Sequence, residues 1–299
     1  MPEGVHSANL NELDELTTEA GGTSDAEYEL RPTLELVELI NAGDATVSEA
    51  VGAASVDIAR AVDAIVERLA TGGRLVYVGA GTSGGLAALD ARECETTFST
   101  SPGQVVAVTA TDPAAEDDRG GGAQSIGAVG ISPADAVVGI TASGRTPYVV
   151  GALQAAADSG ALTIAVACVP DSELAEVADH AIAVVVGPEF IAGSTRLKAG
   201  TAQKLVLNTI STVAMIRLGK TFGNLMVDVA AANEKLRARV HRIVRTATGA
   251  SSEDVDEALE ASGGEAKVAI VSLLAEVDAD TARARLRDAN GNVRLALSP

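Results

Sequence analysis

Lysine is nearly missing from this chain. Lys198, Lys204, Lys220, Lys235 and Lys267 are the only five in 299 residues, and none lies in the first 197. All told, 22 basic residues face 41 acidic ones, a net charge of −19. A surface of that sign repels phosphate backbones, so a direct nucleic-acid partner is not expected. The same acid-rich, lysine-poor balance suits a cytoplasm of very high salt, where screening makes self-repulsion tolerable. A GC-rich genome, which favours Ala, Asp, Val and Arg, is the other source of such a composition. Cysteine is scarcer still: Cys94 and Cys168 make no disulfide framework, and a pair alone makes no metal site. No apolar run approaches the roughly 20 residues that cross a bilayer. The start, Met1-Pro2-Glu3-Gly4-Val5-His6, lacks the basic and then apolar pattern of a signal peptide. The expectation is a cytoplasmic protein with no membrane partner.

What the chain does have is a 47% hydrophobic fraction, mostly Ala, Val, Leu and Ile, enough for a substantial core. Its length fits one large α/β domain with an appendage, or two modest domains. Residues 1–33 are polar and acidic with a break at Gly21-Gly22-Thr23-Ser24, and residues 1–45 are expected as an N-terminal arm or lid. From Asp44 to Leu69, Val47, Val51, Ala54, Ile58, Val62, Ile65 and Leu69 recur at helical intervals. After Thr71-Gly72-Gly73 the pattern switches to short apolar runs: 74–78, 105–108, 136–140, 162–166 and 181–186 read as strands. Residues 83–93, 146–157, 172–178 and 198–218 read as intervening helices. Buried strands alternating with helices predict an α/β fold with a doubly wound parallel sheet flanked by helices, and ligands at the strand C-terminal edge. After Asn233 the pattern is purely helical, with helices expected at 251–260, 265–274 and 278–288. Residues 46–235 then form the ligand domain and 236–299 a small C-terminal helical bundle.

Two strand-to-helix junctions combine glycines with hydroxyls. In Gly79-Ala80-Gly81-Thr82-Ser83-Gly84 the glycines let the backbone approach an anion, while Thr82 and Ser83 supply donors at a helix start. Thr141-Ala142-Ser143-Gly144-Arg145-Thr146-Pro147 has the same character, with Pro147 suited to a first helical turn. Each also reads as a tight turn with capping hydroxyls. The first loop follows a strand, so a dinucleotide fold competes. However, the acidic residue about 20 positions on is missing, as is a Walker lysine.

These loops resemble the sugar-isomerase (SIS) fold, and within it the chain is similar to the N-acetylmuramic acid 6-phosphate etherase family. The resemblance is carried by Gly79–Gly84, by Leu89-Asp90-Ala91-Arg92-Glu93-Cys94 and by Ala142–Tyr148. It is most specific in Gly193-Ser194-Thr195-Arg196-Leu197-Lys198-Ala199-Gly200-Thr201-Ala202-Gln203-Lys204-Leu205-Val206-Leu207-Asn208, and continues through Phe222–Asp228, Asn233–Leu236 and Ala247-Thr248-Gly249. The chain departs from the family at Gly85, where arginine is usual, and at Glu95-Thr96, where a Pro-Pro pair is usual. It is also shorter than usual between Val108 and Glu116.

The resemblance implies cleavage of the lactyl ether of N-acetylmuramate 6-phosphate, by elimination from the open-chain aldehyde and then addition of water. The products are N-acetylglucosamine 6-phosphate and D-lactate, and no metal or organic cofactor is implied. One carboxylate removes the C2 proton, which the C1 carbonyl acidifies, and another protonates the departing lactate oxygen. The family positions fall on Glu116 as base and Glu93 as acid. Gly81, Thr82, Ser83, Thr141, Ser143, Gly144, Arg145, Thr146 and Lys198 are the implied substrate-binding residues. Asp117 and Asp118 adjoin Glu116, and Arg196 and Lys198 also read as plain helix-start residues. Ser83 and Glu93 stand ten residues apart, about 15 Å on a continuous helix, farther than a hexose 6-phosphate spans. Either that helix breaks, or Glu93 serves a site shared with a second subunit of a homodimer. A sugar-phosphate-binding regulator and a sugar-phosphate isomerase are the alternatives; neither releases lactate.

Overall fold

The computed structural model describes residues 27–110, 112–229 and 234–298. The first 26 positions of the expected arm lie outside the described residues. The chain divides into two compact units: residues 1–91 with 106–210, and residues 92–105 with 211–299.

The first unit is built on a five-stranded parallel sheet. Its strands are β1 (Leu75–Gly79), β2 (Val105–Thr109), β3 (Ala136–Ile140), β4 (Leu162–Ala167) and β5 (His180–Ala183), in the order β2-β1-β3-β4-β5. All residues of β1, β3 and β4 are buried, as expected of strands covered on both faces. The sequence predicts β5 through Val186, but pairing ends with Ala183 against Ala167, where β4 itself ends. Beyond it the Val184 N–H still donates to the Ala167 carbonyl at 2.8 Å, where β4 runs out.

Three helices precede the sheet: α1 (Thr33–Asp44), α2 (Val47–Ala53) and α3 (Ser55–Ala70). The helical run expected over 44–69 is therefore interrupted, and α1 occupies the end of the region read as an arm. Hydroxyls sit at both interruptions. Thr46 Oγ1 donates to the Gly43 carbonyl at 2.8 Å and Ser55 Oγ to the Gly52 carbonyl at 2.6 Å, local bonds that compete with continuous helix. In α3, Ile58, Ala61, Val62, Ile65 and Leu69 are buried at three- and four-residue intervals.

Next come α4 (Gly81–Phe98), α5 (Arg119–Val129), α6 (Pro147–Asp158), α7 (Glu173–Glu176) and α8 (Lys198–Arg217). Helix α4 is anchored on β1 by a buried bond from Tyr77 Oη to Asp90 Oδ2 at 2.9 Å, which gives Asp90 a structural job. Helix α5 is not apparent in the glycine-rich sequence 119–129. It packs against α6 at backbone distance: a Cβ on Gly122 would fall 1.9 Å from the Tyr148 carbonyl oxygen, and one on Gly151 2.0 Å from that of Arg119. At the sheet's N-terminal edge Arg74 bonds Asp135 through its backbone N–H, Nε and Nη2.

The second unit carries the hairpin β6 (Thr221–Phe222) and β7 (Leu225–Met226). It continues with helices α9 (Glu234–Thr248), α10 (Ser252–Ala261), α11 (Ala266–Ala275), α12 (Ala279–Asp288) and α13 (Val293–Ala296). The three helices expected here, α10 to α12, start and stop within about a residue or two of expectation, and two of their N-termini carry capping signals. Ser251 and Asp254 form a capping box, and Asp278 accepts from the Thr281 N–H at 2.8 Å. Val240, Val244, Val255, Ile270, Val271 and Leu286 belong to the unit's own core.

Candidate active site

The chain leaves β1 for β2 on one side and later runs through β3, β4 and β5 on the other. The point between β1 and β3 is thus a topological switch, where open α/β sheets form ligand crevices. Gly79 pairs with Ile140 across these strands, so the two glycine-hydroxyl loops leave the sheet side by side.

The first loop is tight because its glycines touch. A Cβ on Gly79 would lie 2.7 Å from the Gly84 nitrogen, and one on Gly84 2.9 Å from the Gly79 oxygen. Gly81 has φ +52° and begins α4. Thr82 is exposed, whereas Ser83 is buried and donates from Oγ to Gln203 Oε1 at 2.9 Å.

Glu116 sits against this loop. A Cβ on Gly81 would come within 2.8 Å of its Oε1. Gly81, Gly84, Thr109, Pro113 and Glu116 line a cavity of about 300 Å³. The short connection from β2 still delivers the carboxylate, through a 3-10 turn at Pro113–Asp117. The neighbouring acids are otherwise engaged or positioned: Asp112 accepts from the Ala115 N–H at 3.0 Å, Asp118 caps α5 through the Gly121 N–H at 2.8 Å, and Asp117 is exposed.

In the second loop Thr141 is buried, and its Oγ1 lies 2.7 Å from Thr146 Oγ1 and 3.4 Å from Ser143 Oγ. Thr146 stands at the N-cap of α6, yet its hydroxyl caps no helix amide. The Arg145 N–H donates to Ser143 Oγ at 3.3 Å and the Arg145 side chain is exposed. Gly144, at φ +71°, faces Ser172 so closely that a Cβ would fall 2.2 Å from that residue's own Cβ.

The structure thus brings Gly81, Thr82, Ser83, Thr141, Ser143, Gly144, Arg145, Thr146 and Glu116 to one sheet edge. Two expected residues are placed differently. Lys198 is turned elsewhere: its ammonium donates to the Val186 carbonyl at 2.7 Å, and it lines a small cavity with Tyr28, Ile40, Gly43, Glu189 and Leu197. A backbone carbonyl just past the end of β5 gives the cation a partner there, apart from the two hydroxyl loops. Glu93 is exposed on α4, and α4 does not break before it. A larger cavity of about 860 Å³ lies in the helical unit, lined by residues such as Val227, Asp228, Lys267, Arg283 and Leu286. There Lys220 and Lys267 share Asp228 and Arg283 binds Glu265. It holds ion pairs but not the hydroxyl loops, so the sheet edge remains the candidate.

Comparison with known proteins agrees with this fold. Residues 57–157 match the glucokinase regulatory protein N-terminal SIS domain, and residues 127–212 the SIS domain. A phosphoheptose isomerase from Francisella tularensis superposes with a TM-score of 0.50 at 18% identity, over 62% of this chain and 100% of that one, a likeness of fold alone. The N-acetylmuramic acid 6-phosphate etherase of Streptomyces avermitilis is 52% identical over 98% of this chain and 97% of that protein. That of Rubrobacter xylanophilus is 54% identical over 95% and 97%. The chain belongs to the N-acetylmuramic acid 6-phosphate etherase family.

Beside this candidate site, sequence reasoning missed two buried groups on or next to α8. Glu189 accepts from the backbone N–H of Lys198 and of Ala199, both at 2.9 Å, so a carboxylate meets the helix's positive end. Gln203 is 1% exposed and reaches Ser83. A signal for Gln203 existed: it stands four residues after Ala199 and four before Leu207, a polar residue on an apolar helix face. Cys168, also buried, is pushed up to about 12 by burial and by the nearby Glu189 charge, so its thiol stays protonated.

Proposed function

We propose that this protein cleaves the lactyl ether of N-acetylmuramate 6-phosphate. The observation that carries the reading is the Glu116 carboxylate lying against Gly81 of the first hydroxyl loop, in a chain of this family. The phosphate binds among Thr82, Ser83, Ser143, Thr146 and Arg145, where hydroxyls, loop amides and one guanidinium offset its charge. The open-chain aldehyde acidifies C2, and Glu116 takes the C2 proton. The electron pair forms the C2–C3 double bond as the C3–O bond breaks, and Glu93 protonates the departing D-lactate oxygen. Water then adds at C3 and a proton returns to C2, leaving N-acetylglucosamine 6-phosphate.

The exposed position of Glu93 on an unbroken α4 supports a site shared between two copies in a homodimer. So does α1, which buries no residue and leaves Leu34 and Val37 exposed. Residues 46–235 would be the sugar-phosphate domain and 236–299 the helical domain. No helix among the described residues is long and apolar enough to cross a membrane, and we place the enzyme in a cytoplasm of high salt on its charge of −19.

The test is D-lactate release from N-acetylmuramate 6-phosphate, measured from low to molar potassium chloride. Release should be greatest at high salt and fall about a hundredfold or more in Glu116→Gln, the scale of a lost general base. Hexose phosphate binding without lactate at any salt would instead identify a sugar-phosphate sensor.

A further inference from the structure

Donors and acceptors do not balance at the Ser83–Gln203 contact. Gln203 Oε1 accepts the Ser83 Oγ–H bond, while Gln203 Nε2 is buried with no hydrogen-bond partner among the described residues. A hydroxyl has one proton to give. With that proton committed to Gln203, Ser83 presents only lone pairs to the loop, the wrong polarity for an anion.

An amide carries acceptor and donor on one planar group, and its terminal torsion is broad and roughly two-fold. A half-turn would set Nε2 to donate to Ser83 Oγ and free the serine proton. The position left without a partner would then hold a carbonyl, which tolerates that condition better than an N–H. Packing keeps the two residues together: a Cβ on Gly200, a turn earlier in α8, would lie 3.6 Å from Thr82 Cγ2. Helix α8 thus backs this loop over successive turns.

We infer that Gln203 is a positioning residue for the phosphoryl group. Its amide reverses when the anion arrives, and Ser83 changes from an inward donor to a donor on phosphate oxygen. This rests on the phosphosugar reading above. Neither leucine nor ionised glutamate could do the same: leucine offers no polar atom, and a carboxylate only accepts.

The experiment is a double-mutant cycle on the full chain with Gln203→Glu and Ser83→Ala. N-acetylglucosamine 6-phosphate binding is read by calorimetry on all four chains of the cycle, and kcat and KM are read from lactate release where Ser83 is present. Gln203→Glu should weaken binding and raise KM about ten- to hundredfold, the worth of one hydrogen bond to a charged group. kcat should change little, and most of the effect should vanish on the Ser83→Ala background. Gln203→Leu, which suits the buried position, leaves the serine proton free and should lose less affinity than Ser83→Ala. Equal losses in both backgrounds would overturn the inference, as would Gln203→Leu binding as poorly as Ser83→Ala. Coupling without lactate release would sink the etherase reading and keep the switch; lactate release without coupling would do the reverse. A wild-type chain that binds no phosphosugar would overturn both.

Discussion

Gly81 and Gly144 look alike as loop glycines but are needed for different reasons. At Gly81 the obstacle to a side chain, besides φ +52°, is a carboxylate oxygen 2.8 Å from where a Cβ would stand. A methyl there would push Glu116 off the loop. Gly81→Ala should lower kcat for lactate release at least about tenfold, while strain in a left-handed residue costs roughly 1 kcal/mol or somewhat more. Activity and thermal unfolding measured together would separate the two, and unchanged kcat would show that Glu116 is not working where it sits. At Gly144 the obstacle is Ser172, whose Cβ is fixed to the backbone, so alanine there should cost stability first. Both glycines were legible as members of glycine-hydroxyl loops from their neighbours. Glu116 was named through the family resemblance, but that it lies against the loop while Asp112 and Asp118 cap a turn and a helix is visible only in the structure.

Strands and loops were the readily legible elements, since buried runs ending in glycine are local patterns. The α1–α3 breaks were missed because single hydroxyl-to-carbonyl bonds outweigh a continuous apolar period. Helix α5 was missed because its glycines, poor helix formers alone, are what allow contact with α6. The start of the sheet carries its own prediction. Burial would push the Asp135 carboxyl up, but bonds from Arg74 and from Ser132 outweigh it and hold it at about 2, against an ordinary 3.8. A depressed folded value means that this stabilisation is complete above about pH 4 and lost as pH falls toward 2, at most about 2 kcal/mol. Denaturant unfolding across that range should show Asp135→Asn less stable than wild type at neutral pH but with a shallower acid decline. Parallel acid curves would remove the pair from the account.

For the assembled protein the sharpest expectation concerns how many copies make a site. On the proposed homodimer with shared sites, mixing Ser83→Ala with Glu93→Ala, each inactive alone, should restore about a quarter of wild-type activity, because half the dimers would be mixed and each would hold one intact site. No recovery, with mixed dimers demonstrated, would place both groups in one chain's site. The sequence alone determined the alternation of strands and helices, both hydroxyl loops and the family, because side-chain period, turn chemistry and a contiguous segment such as Lys198–Asn208 are all local. Only the tertiary structure decided which distant residues meet. Strand order put the Glu116 turn beside Gly81, and the packing of α8 set Gln203 on Ser83, 120 positions away. The Lys198 ammonium likewise meets the Val186 carbonyl. Such meetings follow from how elements stack, and no local pattern encodes them.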